Sequence, residues 1–114
     1  MKFSESLKKN TDFQKVYRQG TSAANKYLVM YILENQLEKN RIGISVSKKV
    51  GNSVVRHHLC RLVREAYRLK EDSFSKGFDV VVICRVGSKN CTQKEIADAL
   101  YHLGRRHHIL EDKE

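Results

Sequence analysis

Residues 41–69 read RIGISVSKKVGNSVVRHHLCRLVREAYRL, and this stretch contains the pattern of a strand followed by that of a helix. Bulky apolar residues alternate with small ones over residues 41–47, which predicts a strand with one bulky and one open face. Gly43, Ser45 and Ser47 form the open face, which leaves room for a ligand. The residues from Ser53 to Leu69 predict a helix. Its apolar stripe is Val55, Leu59, Leu62, Ala66 and Leu69.

The predicted helix carries positive charge on the side away from its apolar stripe. At about 100° per residue, one sector opposite Val55 contains His57, Arg61, Arg64 and Arg68. Like charges three and four residues apart destabilise an isolated helix by roughly 0.2–0.5 kcal/mol per pair, so this array is a cost unless a polyanion neutralises it. Glu65 is the only acid within the helix. The array therefore favours a polyanion-binding surface over the alternative, a merely solvated face.

The composition agrees with a polyanion partner. The chain has 114 residues with 22 Lys and Arg against 13 Asp and Glu, a net charge of +9 with histidine neutral. This length and a hydrophobic content of 40% predict one folded domain over residues 1–114. The excess positive charge attracts nucleic acid first and an anionic membrane second.

Targeting signals and cysteine usage both predict a cytoplasmic protein. The sequence contains neither a membrane-spanning apolar run nor a signal peptide. Three cysteines, Cys60, Cys84 and Cys91, make an odd number, which favours reduced thiols over a disulfide framework.

The rest of the chain predicts two further strands and two further helices. These are a helix from Asn10 or Thr11 to the residue before Gly20, strands at Lys26–Glu34 and Phe78–Cys84, and a helix that opens with the capping box of Thr92–Glu95. The order helix, strand, strand, helix, strand, helix predicts an α/β (α+β) two-layer sandwich, with a small mixed sheet packed against helices.

Protein-borne catalysis and metal binding find little support in the sequence. Adjacent histidines such as His57 and His58 point about 100° apart on a helix, and no Cys-x-x-Cys spacing is present, so a zinc site is not expected. Cys84 ends an apolar strand and is expected in the core. No pair of carboxylates is spaced for acid–base catalysis. We therefore expect no catalytic residues and no metal ligands.

A family resemblance rests on several motifs together. The run Ile44–Arg56, followed by Arg61, Arg64 and Glu65, resembles the signature of the bacterial ribonuclease P protein subunit, in which a strand ending Ser-x-Ser-Lys-Lys leads into a basic helix. Residues 8–17 resemble the family's N-terminal helix, and residues 78–85 match a strand of that family. The resemblance covers most of the chain.

The resemblance implies a fold related to one domain of ribosomal protein S5, with a left-handed βαβ crossover. It also implies an RNA-binding subunit of an endoribonuclease that removes the 5′ leader from precursor tRNA. In this family a catalytic RNA subunit and its Mg²⁺ ions perform the cleavage, so the protein is expected to bind no cofactor of its own. The implied partners are the RNA subunit and the precursor tRNA leader, with neither membrane nor DNA involved.

By position, the resemblance assigns two sets of binding residues. The surface for the RNA subunit consists of Lys48, Lys49, Asn52, Arg56, His57, His58, Arg61, Arg64 and Arg68. The cleft for the leader consists of Phe13, Tyr17, Val29 and Tyr31. The chain departs from the family pattern at His57, His58 and Cys60, where the family commonly has Asn, Arg and a basic residue.

Two other functions remain open at the level of sequence. A ribosomal or general RNA-binding module would share the charge and the basic helix, but it gives no reason for aromatic residues beside a strand of small residues. A peripheral membrane protein would use residues 53–69 as an amphipathic anchor. The narrow apolar stripe is needed to cover the sheet, which disfavours that function.

Overall fold

The computed structural model describes residues 4–111 as five strands and three helices. The strands are β1 Glu5–Ser6, β2 Thr21–Ala24, β3 Leu28–Glu34, β4 Arg41–Val46 and β5 Phe78–Cys84. The helices are α1 Asn10–Gln19, α2 Ser53–Leu69 and α3 Gln93–Arg106, and short 3₁₀ turns lie at Glu71–Ser73 and Val86–Ser88. The predicted α+β class and the order of the long elements are confirmed.

The strands form one mixed sheet in the order β1–β4–β5–β3–β2. β4 pairs in parallel with β5 and with the short β1, whereas β3 pairs antiparallel with β5 and with β2. The helix α2 therefore connects two adjacent parallel strands, as such strands require a long crossover. The sequence pattern does not predict β1 and β2. These strands have two and four residues, mostly small or polar, and so carry no alternating apolar pattern.

One face of the sheet packs against α2 and α3. The even-numbered residues Leu28 and Met30 of β3 are fully buried there, together with Leu59 and Val63 of α2. The predicted apolar stripe of α2 is wrong at its end, because Leu69 is 59% exposed. Instead, Tyr67 is buried, and its hydroxyl oxygen lies 3.2 Å from the donating amide of the buried Asn40. The buried face of α2 is therefore centred on Val63, and Leu69 lies about 120° from Val63 around the helix axis.

Helix α1 covers part of the opposite face of the sheet. Val16 is fully buried against Val81 of β5. The predicted start and end of α1 are confirmed, but neither Asn10 nor Thr11 caps it, because Lys9 occupies the N-cap position. Gly20 follows the helix. A Cβ atom at this position would lie only 2.5 Å from the carbonyl oxygen of Ile32, so there is no space for a side chain between α1 and β2.

Gly43 sets the distance between α1 and β4. A Cβ atom at this position would lie 2.6 Å from Cζ of Phe13 and 3.1 Å from Cβ of Leu7. The aromatic ring of Phe13 therefore occupies the space that the glycine leaves on the strand. The open face expected from Gly43, Ser45 and Ser47 is thus partly filled by the protein itself, and the free part begins at Ser45.

We predict that Gly43→Ala lowers the free energy of unfolding by about 1–3 kcal/mol, because the added methyl group overpacks the contact with Phe13. Chemical denaturation of the two proteins measures the loss. Ser47→Ala, at an exposed position beyond β4, is the control and should change stability by less than about 0.5 kcal/mol. In a Phe13→Ala background the loss from Gly43→Ala should largely disappear, and an undiminished loss would contradict this packing.

Candidate nucleic-acid interface

The outer side of α2 carries an exposed row of basic residues, as its periodicity predicts. The side chain of Asn52 accepts a hydrogen bond from the amide of Val55 at 3.0 Å and so fixes the start of the helix. No acidic residue occupies the first turn, so the positive end of the helix dipole stays uncompensated there. We call the exposed residues His57, Arg61, Arg64 and Arg68 the basic ridge.

The members of the basic ridge differ in their partners. The guanidinium group of Arg68 donates two hydrogen bonds to Glu65, at 2.5 and 2.9 Å. This contact raises the pKa of Arg68 and lowers the pKa of Glu65. Within residues 4–111, neither Arg61 nor Arg64 has an acidic partner within 4.0 Å. Two arginines of the ridge are therefore available for an external anion, and the third is partly neutralised.

Arg56 lies apart from the basic ridge. It is half-buried on the side of α2 that faces the end of β4, in a depression that Ser45 and Cys60 also line. Its Nε atom is buried and has no hydrogen-bond partner among the described residues. This donor is thus unused within the described structure. Sequence spacing indicates the same separation, since Arg56 lies only about 100° from Val55, whereas the ridge begins at about 180°.

The turn before α2 adds two exposed cations. Lys48 and Lys49 project from a tight turn in which the amide of Val50 donates to the carbonyl of Ser47 at 3.1 Å. Val50 is buried and anchors the turn to the core. Gly51 then allows a close approach to the helix, because a Cβ atom there would lie 2.8 Å from the side chain of Val55.

The residues that depart from the family pattern occupy two environments. His57 and His58 are exposed, and His58 also lines a shallow depression with Arg61 and Gln93 between α2 and the start of α3. Cys60 is half-buried, and burial raises the pKa of its thiol. Both imidazoles can therefore reach a ligand outside the protein, and His57 also lines the depression beside Arg56 together with Cys60.

A second groove runs between α1 and the free part of β4. It is lined by Lys8, Asn10, Phe13, Gln14, Tyr17, Ile44 and Ser45. The rings of Tyr17 and Tyr31 meet edge to face with centroids 5.1 Å apart. Partial burial raises the pKa of Tyr17, and a hydrogen bond with Ser45 acts in the opposite direction. An aromatic wall thus stands beside the small side chain of Ser45.

The predicted cleft residues are not all equivalent in this groove. Phe13 and Tyr17 line it directly, and Tyr31 supports Tyr17 from β3. Val29 lies two residues before Tyr31 on the same sheet face, outside the lining of the groove. Sequence reasoning missed Asn10 and Gln14, although their spacing of seven and three residues from Tyr17 places all three side chains on one helix face.

The groove and the depression beside Arg56 adjoin each other at β4. Both are lined by Ile44 and Ser45, on opposite sides of β4. The short β1 pairs with Arg41 and Ile42, and within residues 4–111 no strand pairs with the outer edge of β4 beyond that point. A single extended ligand can therefore cross the strand from the aromatic wall to the first turn of α2.

The described residues offer no grouping for metal or thiol chemistry. Within residues 4–111, no three His, Cys, Asp or Glu side chains are placed to hold a metal ion. Burial raises the pKa of Cys84 to about 12, so its thiol stays protonated at neutral pH, in agreement with its predicted core position. The side chain of His107 takes part in the fold, because its Nε2 lies 2.9 Å from the carbonyl oxygen of Met30.

Within residues 4–111, no helix combines the length and the apolar character that a bilayer crossing needs.

Comparison with known proteins places this arrangement in one family. The Ribonuclease P family model matches residues 1–108. The ribonuclease P protein component of Lachnoclostridium phytofermentans is 54% identical over 111 residues, which cover 97% of this chain and 96% of the relative. That of Clostridioides difficile is 51% identical over 104 residues, with 90% and 91% covered.

Solved structures agree with the sequence relatives. The ribonuclease P protein of Staphylococcus aureus superposes with a TM-score of 0.86 at 36% identity, covering 93% of this chain and 97% of that protein. The protein from Thermotoga maritima gives a TM-score of 0.83 at 32% identity, with 90% and 96% covered. Since sequence and fold agree over nearly the whole length, this chain belongs to the ribonuclease P protein family.

Proposed function

We propose that this chain is the RNA-binding subunit of ribonuclease P, which assists a catalytic RNA in removing the 5′ leader from precursor tRNA. The observation that carries the proposal is the exposure of Arg61 and Arg64, without an acidic partner in the described structure, on the helix face opposite the core. Folding leaves this charge uncompensated, and the phosphates of a folded RNA compensate it. The Mg²⁺ ions and the cleavage belong to the RNA subunit, while the protein positions RNA.

The groove beside Tyr17 is the proposed site for the leader. Single-stranded RNA is held by stacking of bases on aromatic rings next to a cationic track. Tyr17 provides the ring and Ser45 a small floor, while Lys8 and Arg56 supply positive charge at the two ends. A general RNA-binding module, the second candidate, explains the basic ridge but assigns no role to this groove.

Reconstitution tests the proposed function directly. The chain is combined with a bacterial ribonuclease P RNA, and 5′ processing of precursor tRNA is measured at low Mg²⁺ with and without the protein. We expect processing to increase with the protein and binding to favour precursor over mature tRNA in the complex. Equal binding of both tRNAs together with unchanged processing would favour the general RNA-binding module.

Substitutions in the basic ridge test its contact with the RNA subunit. Arg61→Ala and Arg64→Ala should each reduce the slope of log affinity against log salt by about one unit, because each removes one phosphate contact. Arg68→Ala is the matched control on the same ridge and should reduce it less, since Glu65 already neutralises part of that charge. Titrations of the labelled RNA subunit at several salt concentrations give the slopes. Unchanged slopes for Arg61→Ala and Arg64→Ala would remove both residues from the interface.

Substitution of Tyr17 tests the leader site. Tyr17→Ala should weaken binding of leader-bearing tRNA by about 1–3 kcal/mol through the loss of base stacking, with little effect on mature tRNA. Tyr17→Phe keeps the ring and should retain most of the affinity. The measurement is the ratio of the two tRNA affinities in the reconstituted complex. An equal loss for both tRNAs would contradict a leader-specific contact.

A further inference from the structure

Three loops emerge side by side at one end of the sheet. Val46 of β4 and Leu28 of β3 both pair with Cys84 of β5, so the turn before β3 and the segments after β4 and β5 lie at the same edge. The sequence motifs account for only one of these loops, the turn with two lysines before α2. The exposed basic residues of the three loops are Lys26, Lys48, Lys49, Arg85 and Lys89, and we call them the basic end.

Direct contacts hold two of these loops together. The guanidinium group of Arg85 donates to the carbonyl of Asn25 at 2.6 Å, and its backbone amide donates to the carbonyl of Tyr27 at 2.9 Å. Gly87 lies beside the other loop, since a Cβ atom there would be at van der Waals distance, 3.4 Å, from the carbonyl oxygen of Lys26. These contacts fix the two loops relative to each other, which limits the backbone ordering that a ligand has to impose.

Acidic residues are concentrated at the other end of the sheet. The acid Glu95 lies near the basic end. Its carboxylate accepts hydrogen bonds from the backbone amide of Thr92 at 2.9 Å and from the hydroxyl of Tyr27 at 3.3 Å. The residues at and beside the opposite edge include Glu34, Glu38, Glu71, Asp72 and Asp79. Cations accompany these acids, since Arg41 pairs with Asp79 and Lys39 pairs with Glu5. The opposite end thus has charges of both signs, and a polyanion is attracted more strongly to the basic end, where positive charge predominates.

We propose that the basic end is a second contact surface for the phosphate backbone of the RNA subunit, continuous with the basic ridge through Lys48 and Lys49. This inference rests on the proposed function and extends its interface to Lys26, Arg85 and Lys89. Neighbouring strands lie about 4.8 Å apart, so loops on three adjacent strands extend the interface by roughly 10 Å across the sheet. The leader groove lies on the α1 side of the sheet, which assigns the basic end to the RNA subunit instead of the leader.

The test is a pair of matched double variants in the full chain, each removing two positive charges. Lys26→Ala with Lys89→Ala removes two charges from the basic end, whereas Lys70→Ala with Lys76→Ala removes two charges toward the opposite end. The probe is the isolated ribonuclease P RNA, titrated at several salt concentrations. We expect the first variant to reduce the salt slope by about 1.5–2 units and the second to reduce it by less than about 0.5.

Each other outcome is decisive. Equal slope changes in both variants would mean that only net charge matters, and no change in the first variant would remove the basic end from the interface. In the reconstituted complex, a loss by the first variant that is confined to binding of leader-bearing tRNA would assign the surface to the leader and overturn the inference. If Arg61→Ala alters the slope while the first variant does not, this inference fails and the proposed function stands. If the unsubstituted chain does not bind the RNA, the proposed function itself fails.

A second variant keeps the length of both side chains. Lys26→Gln with Lys89→Gln should repeat the result of the alanine pair.

Discussion

The parallel pairing of β4 with β5 is the constraint on which the rest of the structure depends. Parallel neighbours need a long crossover, and α2 is that crossover, so one face of α2 has to cover the sheet. The remaining face is then solvent-exposed, and its arginines point away from the core. The same pairing brings the carboxyl ends of both strands to one edge, where the turn before α2 and the segment after β5 present their cations together.

The side-chain alternation along β4 separates two kinds of packing. Ile42 is buried against the core that α2 and α3 cover, while Gly43 on the other face accepts the ring of Phe13 from α1. At Ile44 and Ser45, no strand of the described chain pairs with the outer edge of β4, and the groove beside Tyr17 adjoins the depression beside Arg56 there. A single strand thus supports the core, positions the aromatic wall and provides the floor between the two proposed RNA sites.

Electrostatics distinguishes residues that stabilise the fold from residues left for a partner. Arg41 donates two hydrogen bonds to the buried Asp79, at 2.6 and 2.8 Å, and so ties β4 to β5. Arg68 is held by Glu65 on the surface of α2. Arg61 and Arg64 have no such acid in the described part of the chain. Like charges three and four residues apart along the basic ridge repel each other in the isolated protein, which is the pattern expected of a binding surface.

Sequence alone determined the long elements, the exposure of Arg61 and Arg64, and the family, because a 3.6-residue period and a run of specific motifs are local properties. Tertiary structure decided which side chains complete the surfaces. Leu69 is exposed and Tyr67 buried because Asn40, distant in the sequence, binds the tyrosine hydroxyl. Helix periodicity already separates Arg56 from the ridge, but only the tertiary structure brings the end of β4 beside it. Likewise, Lys26, Lys49 and Lys89 form one basic end only because strand register brings distant turns to the same edge, and no local pattern encodes that register.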